Sequence, residues 1–144
     1  MIKNLEGKLA YITGASSGIG KAISYSFAKT GINLVLFARR EERLKELKKD
    51  LLSKYPIQVE TVVLDVKNNE KTKKALENLD SKLQSPNILV NNAGLALGME
   101  KVWEISEEDV DAVIDTNLKG VLHFLRLIVP KMLEKQEGHI LNIS

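Results

Sequence analysis

The chain has 144 residues, enough for one domain whose core buries roughly two-thirds of the unfolded surface. Its 44% apolar and 28% charged residues are those of a globular chain, and 21 basic against 19 acidic side chains (net charge +2) are too balanced to imply a nucleic-acid partner. Cysteine is absent, which excludes disulfides, thiolate metal sites and a cysteine nucleophile and is compatible with the cytoplasm.

Met1-Ile2-Lys3-Asn4-Leu5-Glu6 carries no apolar signal region, and no run approaches the ~20 apolar residues of a membrane span. A cytoplasmic protein is the expectation. Residues 8–13 read as a strand and 18–30 as a helix closed by Gly31. Between them lies Thr13-Gly14-Ala15-Ser16-Ser17-Gly18-Ile19-Gly20, a strand, a glycine-rich turn and a helix start in that order. Such a turn lets the backbone approach an anion while the helix aims its first N–H groups at it. Three glycines can also be only a turn, but the setting is where the first βα turn of a dinucleotide-binding fold belongs.

Residues 32–38 are nearly continuous in apolar residues, as a strand buried on both faces should be. It ends in Ala38-Arg39-Arg40, where an acidic residue would mark NAD. A small neutral residue followed by guanidinium groups suits a ribose 2′-phosphate, and so NADP. The alternative is that Arg39 and Arg40 cap the sheet edge or pair with Glu41 and Glu42. Leu44, Leu47, Leu51 and Leu52 give one face of a helix over 41–55 that Pro56 ends.

Residues 57–64 read as a third strand, followed by Asp65 and Val66. The Asp65 carboxylate could accept from an adenine amino group or simply open the loop. A polar helix over 68–83 begins at Asn68 or Asn69, and Ser85-Pro86 breaks the chain before a strand at 87–90. Asn91-Asn92-Ala93-Gly94 then clears space beside a flat ring, and read alone is equally a turn. Ser106 with Glu107, Glu108 and Asp109 starts a helix to about Gln136, kinked at Pro130 and stopped by Gly138. Asn117 is unfavourable in mid-helix. Either a backbone carbonyl satisfies it in the core, or it bends the helix at a site. His123 and His139 read as structural, with no metal site, and Trp103 as a core or loop contact. Residues 139–144 form a fifth strand. Alternation of this kind predicts an α/β fold, a doubly wound parallel sheet with helices on both faces.

Thr13-Gly14-x-x-x-Gly18-Ile19-Gly20, Asp65-Val66, Asn91-Asn92-Ala93-Gly94, Asn117 and Gly138 to Ser144 together resemble the classical short-chain dehydrogenase/reductase family, across the whole chain. The resemblance implies a Rossmann-type sheet of about five strands in the order 3-2-1-4-5, an extended nicotinamide cofactor and a small-molecule substrate. It implies that Gly14, Ser16, Ser17, Gly18, Ile19 and Gly20 line the pyrophosphate and adenosine ribose. Asp65 and Val66 would frame the adenine. Asn91, Ala93 and Gly94 would lie beside the nicotinamide ribose and support the central strand, and Asn117 would be the catalytic asparagine that holds a water in the proton relay. Leu89 to Gly98, with Ala38-Arg39-Arg40 and Ile114-Asp115-Thr116-Asn117, looks like the NADP-dependent branch acting on 3-hydroxy acids, serine and allo-threonine.

By the family pattern, the catalytic serine falls one position past Ser144 and a Tyr-x-x-x-Lys pair about a dozen residues later. The one such spacing present, Tyr25 to Lys29, falls in the first helix and reads as surface or packing. The expectation is the cofactor half of an NADP-dependent oxidoreductase, truncated before its serine, tyrosine and lysine. The alternatives are a stand-alone dinucleotide-binding module or an oligomerisation fragment, because the helix over 106–136 resembles the one the family uses to pack subunits into dimers or tetramers.

Overall fold

A computed structural model of the protein describes residues 5–97 and 100–144. Residues 1–4, and Gly98 of the stretch that carries the finer resemblance, lie outside the described residues.

Five parallel strands alternate with helices. β1 (Leu9–Thr13) leads to α1 (Gly18–Lys29), β2 (Asn33–Ala38) to α2 (Glu41–Lys54), and β3 (Val59–Val63) to α3 (Asn69–Glu77). After a 3₁₀ turn (Ser81–Leu83) come β4 (Ile88–Asn91), α4 (Glu107–Ile114), a π-helical turn (Asp115–Lys119), α5 (Gly120–Glu134) and β5 (His139–Asn142). The sheet order is β3-β2-β1-β4-β5, the predicted 3-2-1-4-5. The direction of winding reverses between β1 and β4, so the carboxyl ends of those strands open a crevice at the switch point.

Side chains alternate across the sheet and fill two cores. Ala10, Ile12, Leu34, Leu36 and Val90 face Ala28 of α1 and Leu44, Leu47 and Leu51 of α2. Tyr11, Val35, Phe37 and Leu89 face Leu76 of α3 and Phe124, Ile128 and Met132 of α5. The Phe37 ring lies between Tyr11 and Phe124, edge-on to both with centroids 5.2 and 5.1 Å away. Burial on both faces explains why these strands read as continuous apolar runs.

Helix boundaries follow local chemistry. The Asn68 side chain accepts from the Lys71 amide and that of Ser106 from the Asp109 amide, each capping a helix. The polar helix ends earlier than the predicted 83. Asn78 caps α3, and the Asp80 carboxylate accepts from the Lys82 amide to start the 3₁₀ turn. Pro130 sits inside α5 without ending it. The reversal after α5 falls on Gln136 (φ 50°) rather than on Gly138. Gly138 answers a different need, since a Cβ there would sit 2.6 Å from the Met132 sulfur. Trp103 is not in the core: it is 75% exposed, with the Lys101 ammonium 5.4 Å from its ring centroid. No helix among the described residues is long and apolar enough to cross a membrane.

Candidate nucleotide site

At the carboxyl edge of the sheet lies a cleft of about 420 Å³. Its floor is the glycine turn. Gly14 and Gly18 have φ of 66° and 54°, a left-handed backbone that side-chain-bearing residues adopt only under strain. The two glycines differ in surroundings. A Cβ on Gly14 would meet the Ala93 Cα at 2.8 Å, whereas one on Gly18 would meet nothing within 4 Å. Gly14 therefore serves packing and Gly18 faces open space. Ser16, Ser17 and Ile19 complete this wall.

Ser17 is the N-cap of α1, yet its side chain makes no capping bond. Its hydroxyl instead accepts from Arg40 Nη2 at 2.6 Å, and the Ser16 hydroxyl accepts from the same nitrogen at 3.0 Å. Arg40 thus ties the β2–α2 corner to the glycine turn. Arg39, beside it, is exposed and has no hydrogen-bond or ion-pair partner among the described residues. Neither arginine pairs with Glu41 or Glu42, which are bridged to Lys45 at 2.9 and 3.1 Å.

The third wall is Leu64, Asp65 and Val66. The Asp65 carboxylate accepts from the Lys67 amide at 3.2 Å, and the Asp65 carbonyl accepts from the Asn68 amide at 3.1 Å. The loop-opening reading of Asp65 is thus realised, and its other carboxylate oxygen lies 3.9 Å from the Lys67 ammonium.

Asn92, Ala93 and Gly94 form the last wall, with Thr116. Thr13 holds them. Its hydroxyl accepts from the Asn92 and Ala93 amides, both at 3.0 Å, and donates to the Val90 carbonyl at 3.3 Å. The Asn92 side chain donates to the Thr13 and Gly14 carbonyls at 3.1 and 3.2 Å.

Three predicted site residues stand outside the cleft lining. Gly20 lies behind the turn, where a Cβ would fall 2.5 Å from the Gly14 carbonyl oxygen. Asn91 is 2% exposed and donates across the sheet to Asn142 at 2.9 Å, which ties β4 to β5, and its Oδ1 has no hydrogen-bond partner among the described residues. Asn117 sits in the π turn and exchanges two hydrogen bonds with the Leu95 backbone, donating at 2.8 Å and accepting at 2.7 Å. Asn117 is exposed, so it is not a core amide; a backbone carbonyl nonetheless satisfies its amide, and the helix is π-helical there. Its Oδ1 lies 3.6 Å from where a Gly94 Cβ would be, at the cleft's rim.

Tyr25, whose spacing to Lys29 imitates an acid–base pair, is not in the cleft lining; it lies on the far side of the glycine turn, in a hollow shared with Ser16, Ser17 and Asp50. Its hydroxyl donates to Asp50 of α2, and that bond, with burial and the Asp50 charge, raises its pKa to about 12. Sequence reasoning missed the roles of Thr13 and Asn92 as braces. Their partners become neighbours only once β1 pairs with β4, and no spacing announces that.

The arrangement suits an extended nucleotide. The cleft has the size of a ligand pocket. It has the start of α1, an open face at Gly18 and, in Arg39, a guanidinium with no polar partner among the described residues. Residues 8–144 match the family of short chain dehydrogenases. The chain belongs to that family. It is 38% identical over 144 residues to the NADP-dependent 3-hydroxy acid dehydrogenase of Schizosaccharomyces pombe, covering 99% of this chain and 56% of that protein. The serine dehydrogenase of Escherichia coli superposes with a TM-score of 0.87 at 40% identity, over 94% of this chain and 61% of that one. The L-sorbose reductase of Gluconobacter frateurii, complexed with NADPH and L-sorbose, gives 0.91 at 35% identity, over 99% and 54%. The chain spans about half the length of the curated relatives it matches.

Proposed function

We propose that this chain supplies the cofactor-binding half of an NADP(H)-dependent oxidoreductase that interconverts a hydroxyl and a carbonyl on a small hydroxy acid or related alcohol. The observation that carries the reading is the exposed Arg39 guanidinium, without a polar partner among the described residues, on the lining of a cleft floored by Gly14 and Gly18. The naming of NADP and NADPH for relatives at 35–41% identity supports it.

In this reading the glycine turn and the start of α1 hold the pyrophosphate, with Ser16 and Ser17 beside the adenosine ribose. Arg39 grips the 2′-phosphate while Arg40 fixes the turn. Asp65 and Val66 frame the adenine, and Ala93 and Gly94 flank the nicotinamide ribose. When bound, the nicotinamide supplies the hydride donor or acceptor. Asn117 holds a water for the proton relay, and the serine, tyrosine and lysine of the family lie outside these 144 residues. A stripe of exposed apolar residues at successive turns, Val110, Ile114, Leu118 and Leu122, each 43–53% exposed, supports packing against a second copy.

The test is a titration of the protein with NADPH and NADH, followed by fluorescence. NADPH binds more tightly, and Arg39→Asp moves the preference at least tenfold toward NADH, roughly the 1.4 kcal/mol of one charge-assisted contact. An unchanged ratio removes Arg39 from the 2′-phosphate; no binding of either nucleotide sinks the reading.

A further inference from the structure

The Val66 wall of the cleft has a brace that no sequence motif announces. The Nδ1 atom of His123, on α5, lies 3.0 Å from the Val66 carbonyl oxygen. A carbonyl only accepts, so Nδ1 carries the hydrogen and donates. One turn earlier on the same helix, Gly120 abuts the same residue. A Cβ there would lie 2.7 Å from Val66 Cγ2 and 3.4 Å from the Val66 carbonyl oxygen. Residues three apart share a helix face, so the hydrogen bond and the close approach are two parts of one docking surface.

That surface bears on a segment the sheet has just released. Leu64 still donates to the Ala38 carbonyl, but Asp65 to Asn68 is held by its own turn. The helix that holds Val66 continues backward through the π turn to Asn117, which is bonded to Leu95 at the other end of the cleft. One helical run thus fastens both ends of the site.

We propose that His123 is a positioning residue for nucleotide binding: by holding the Val66 carbonyl against α5 it sets the adenine end of the cleft. The inference rests on the nucleotide reading of that cleft.

Calorimetric titration of the full protein with NADPH, NADH and 2′,5′-ADP tests it, the last probe reporting on the adenosine end alone. His123→Phe keeps the bulk and removes the donor. It is expected to weaken all three ligands about fivefold, the worth of one net hydrogen bond, with the NADPH-to-NADH ratio unchanged. His123→Asn, whose amide can donate to the same carbonyl, restores most of the affinity. Unchanged 2′,5′-ADP affinity in His123→Phe, with only a lowered melting temperature, makes the histidine mere packing and overturns the proposal. So does a change in the NADPH-to-NADH ratio, which would put the effect on the 2′-phosphate grip. Should His123→Phe fail to fold, Gly120→Ala carries the same test, because its methyl displaces Val66 while the histidine stays. Weaker 2′,5′-ADP binding then supports the proposal and unchanged binding overturns it. If the unaltered protein does not bind 2′,5′-ADP, the nucleotide reading falls and takes this inference with it.

Discussion

All five residues of β1 and five of the six in β2 are buried, whereas three of the four in β5 are exposed and the fourth is only partly covered. These strands belong to one sheet with one pattern of parallel pairing, so pairing does not explain the contrast. Coverage does. β1 and β2 have α1 and α2 on one face and α3 and α5 on the other. β5 pairs with β4 alone, and Ile140 and Ile143 remain 38% exposed. The centre of the sheet is therefore covered on both faces. The β5 edge presents apolar surface and, among the described residues, one side of the strand without a neighbour, which natural sheets cover or blunt.

The sharpest test of that contrast is a pair of truncations. Ile12→Ala, at a fully buried position, is expected to cost about 2–5 kcal/mol in urea unfolding of the 144-residue chain, and Ile140→Ala no more than about 0.5. Equal costs would erase the distinction between the two regions. A large cost for Ile140→Ala in a longer form of the protein, but not in this chain, would show the edge being covered there.

Thr13→Val probes the seam between the regions. It leaves the Asn92 and Ala93 amides without their acceptor, at about 1–3 kcal/mol. It should also speed amide exchange at Asn92 and Ala93 before it affects β3. Uniform loss of protection would mean that the hydroxyl supports the whole sheet rather than this junction.

The smallest effect concerns α1 and α2, far from the open edge. The bond from Tyr25 to Asp50, together with burial and the Asp50 charge, raises the tyrosine from its ordinary 10.0 to about 12. A pKa raised by folding stabilises the folded state fully below the ordinary value and ceases to do so as the pH climbs through the raised one. Tyr25→Phe should accordingly be less stable than the unaltered chain near neutrality, by about 0.5–1.5 kcal/mol, with the gap closing between pH 10 and 12. A gap that persists at pH 12 would assign the loss to packing.

The order of elements was legible because each signal was local: apolar runs for the buried strands, Asn68 and Ser106 as caps, Gly31 as a stop. The composition of the cleft was legible too, since glycine turn, Arg39, Asp65 and Ala93-Gly94 all fall at the carboxyl ends of strands, where a parallel sheet gathers them. What stayed hidden was pairing between distant segments. Nothing in Ala38-Arg39-Arg40 says that the second arginine bonds the Ser16 and Ser17 hydroxyls while the first has no polar partner among the described residues. Nothing in the helical pattern places His123 on Val66, 57 residues away. The reversal at Gln136 was illegible for another reason: the neighbouring glycine is the better formal candidate, and contact with Met132 claimed it for packing.

The Thr13 hydroxyl and the Asn92 amide also bear on how the cleft can move. Together they make four hydrogen bonds between the end of β1 with its glycine turn and the Asn92–Ala93 corner. Those two walls form a single rigid jaw. Any tightening around a bound molecule has to come from the opposite jaw, the corners at Arg39–Arg40 and Asp65–Val66. One of those is latched by Arg40 on two serine hydroxyls and the other by one imidazole, so four side chains bear on the stiffness of the grip.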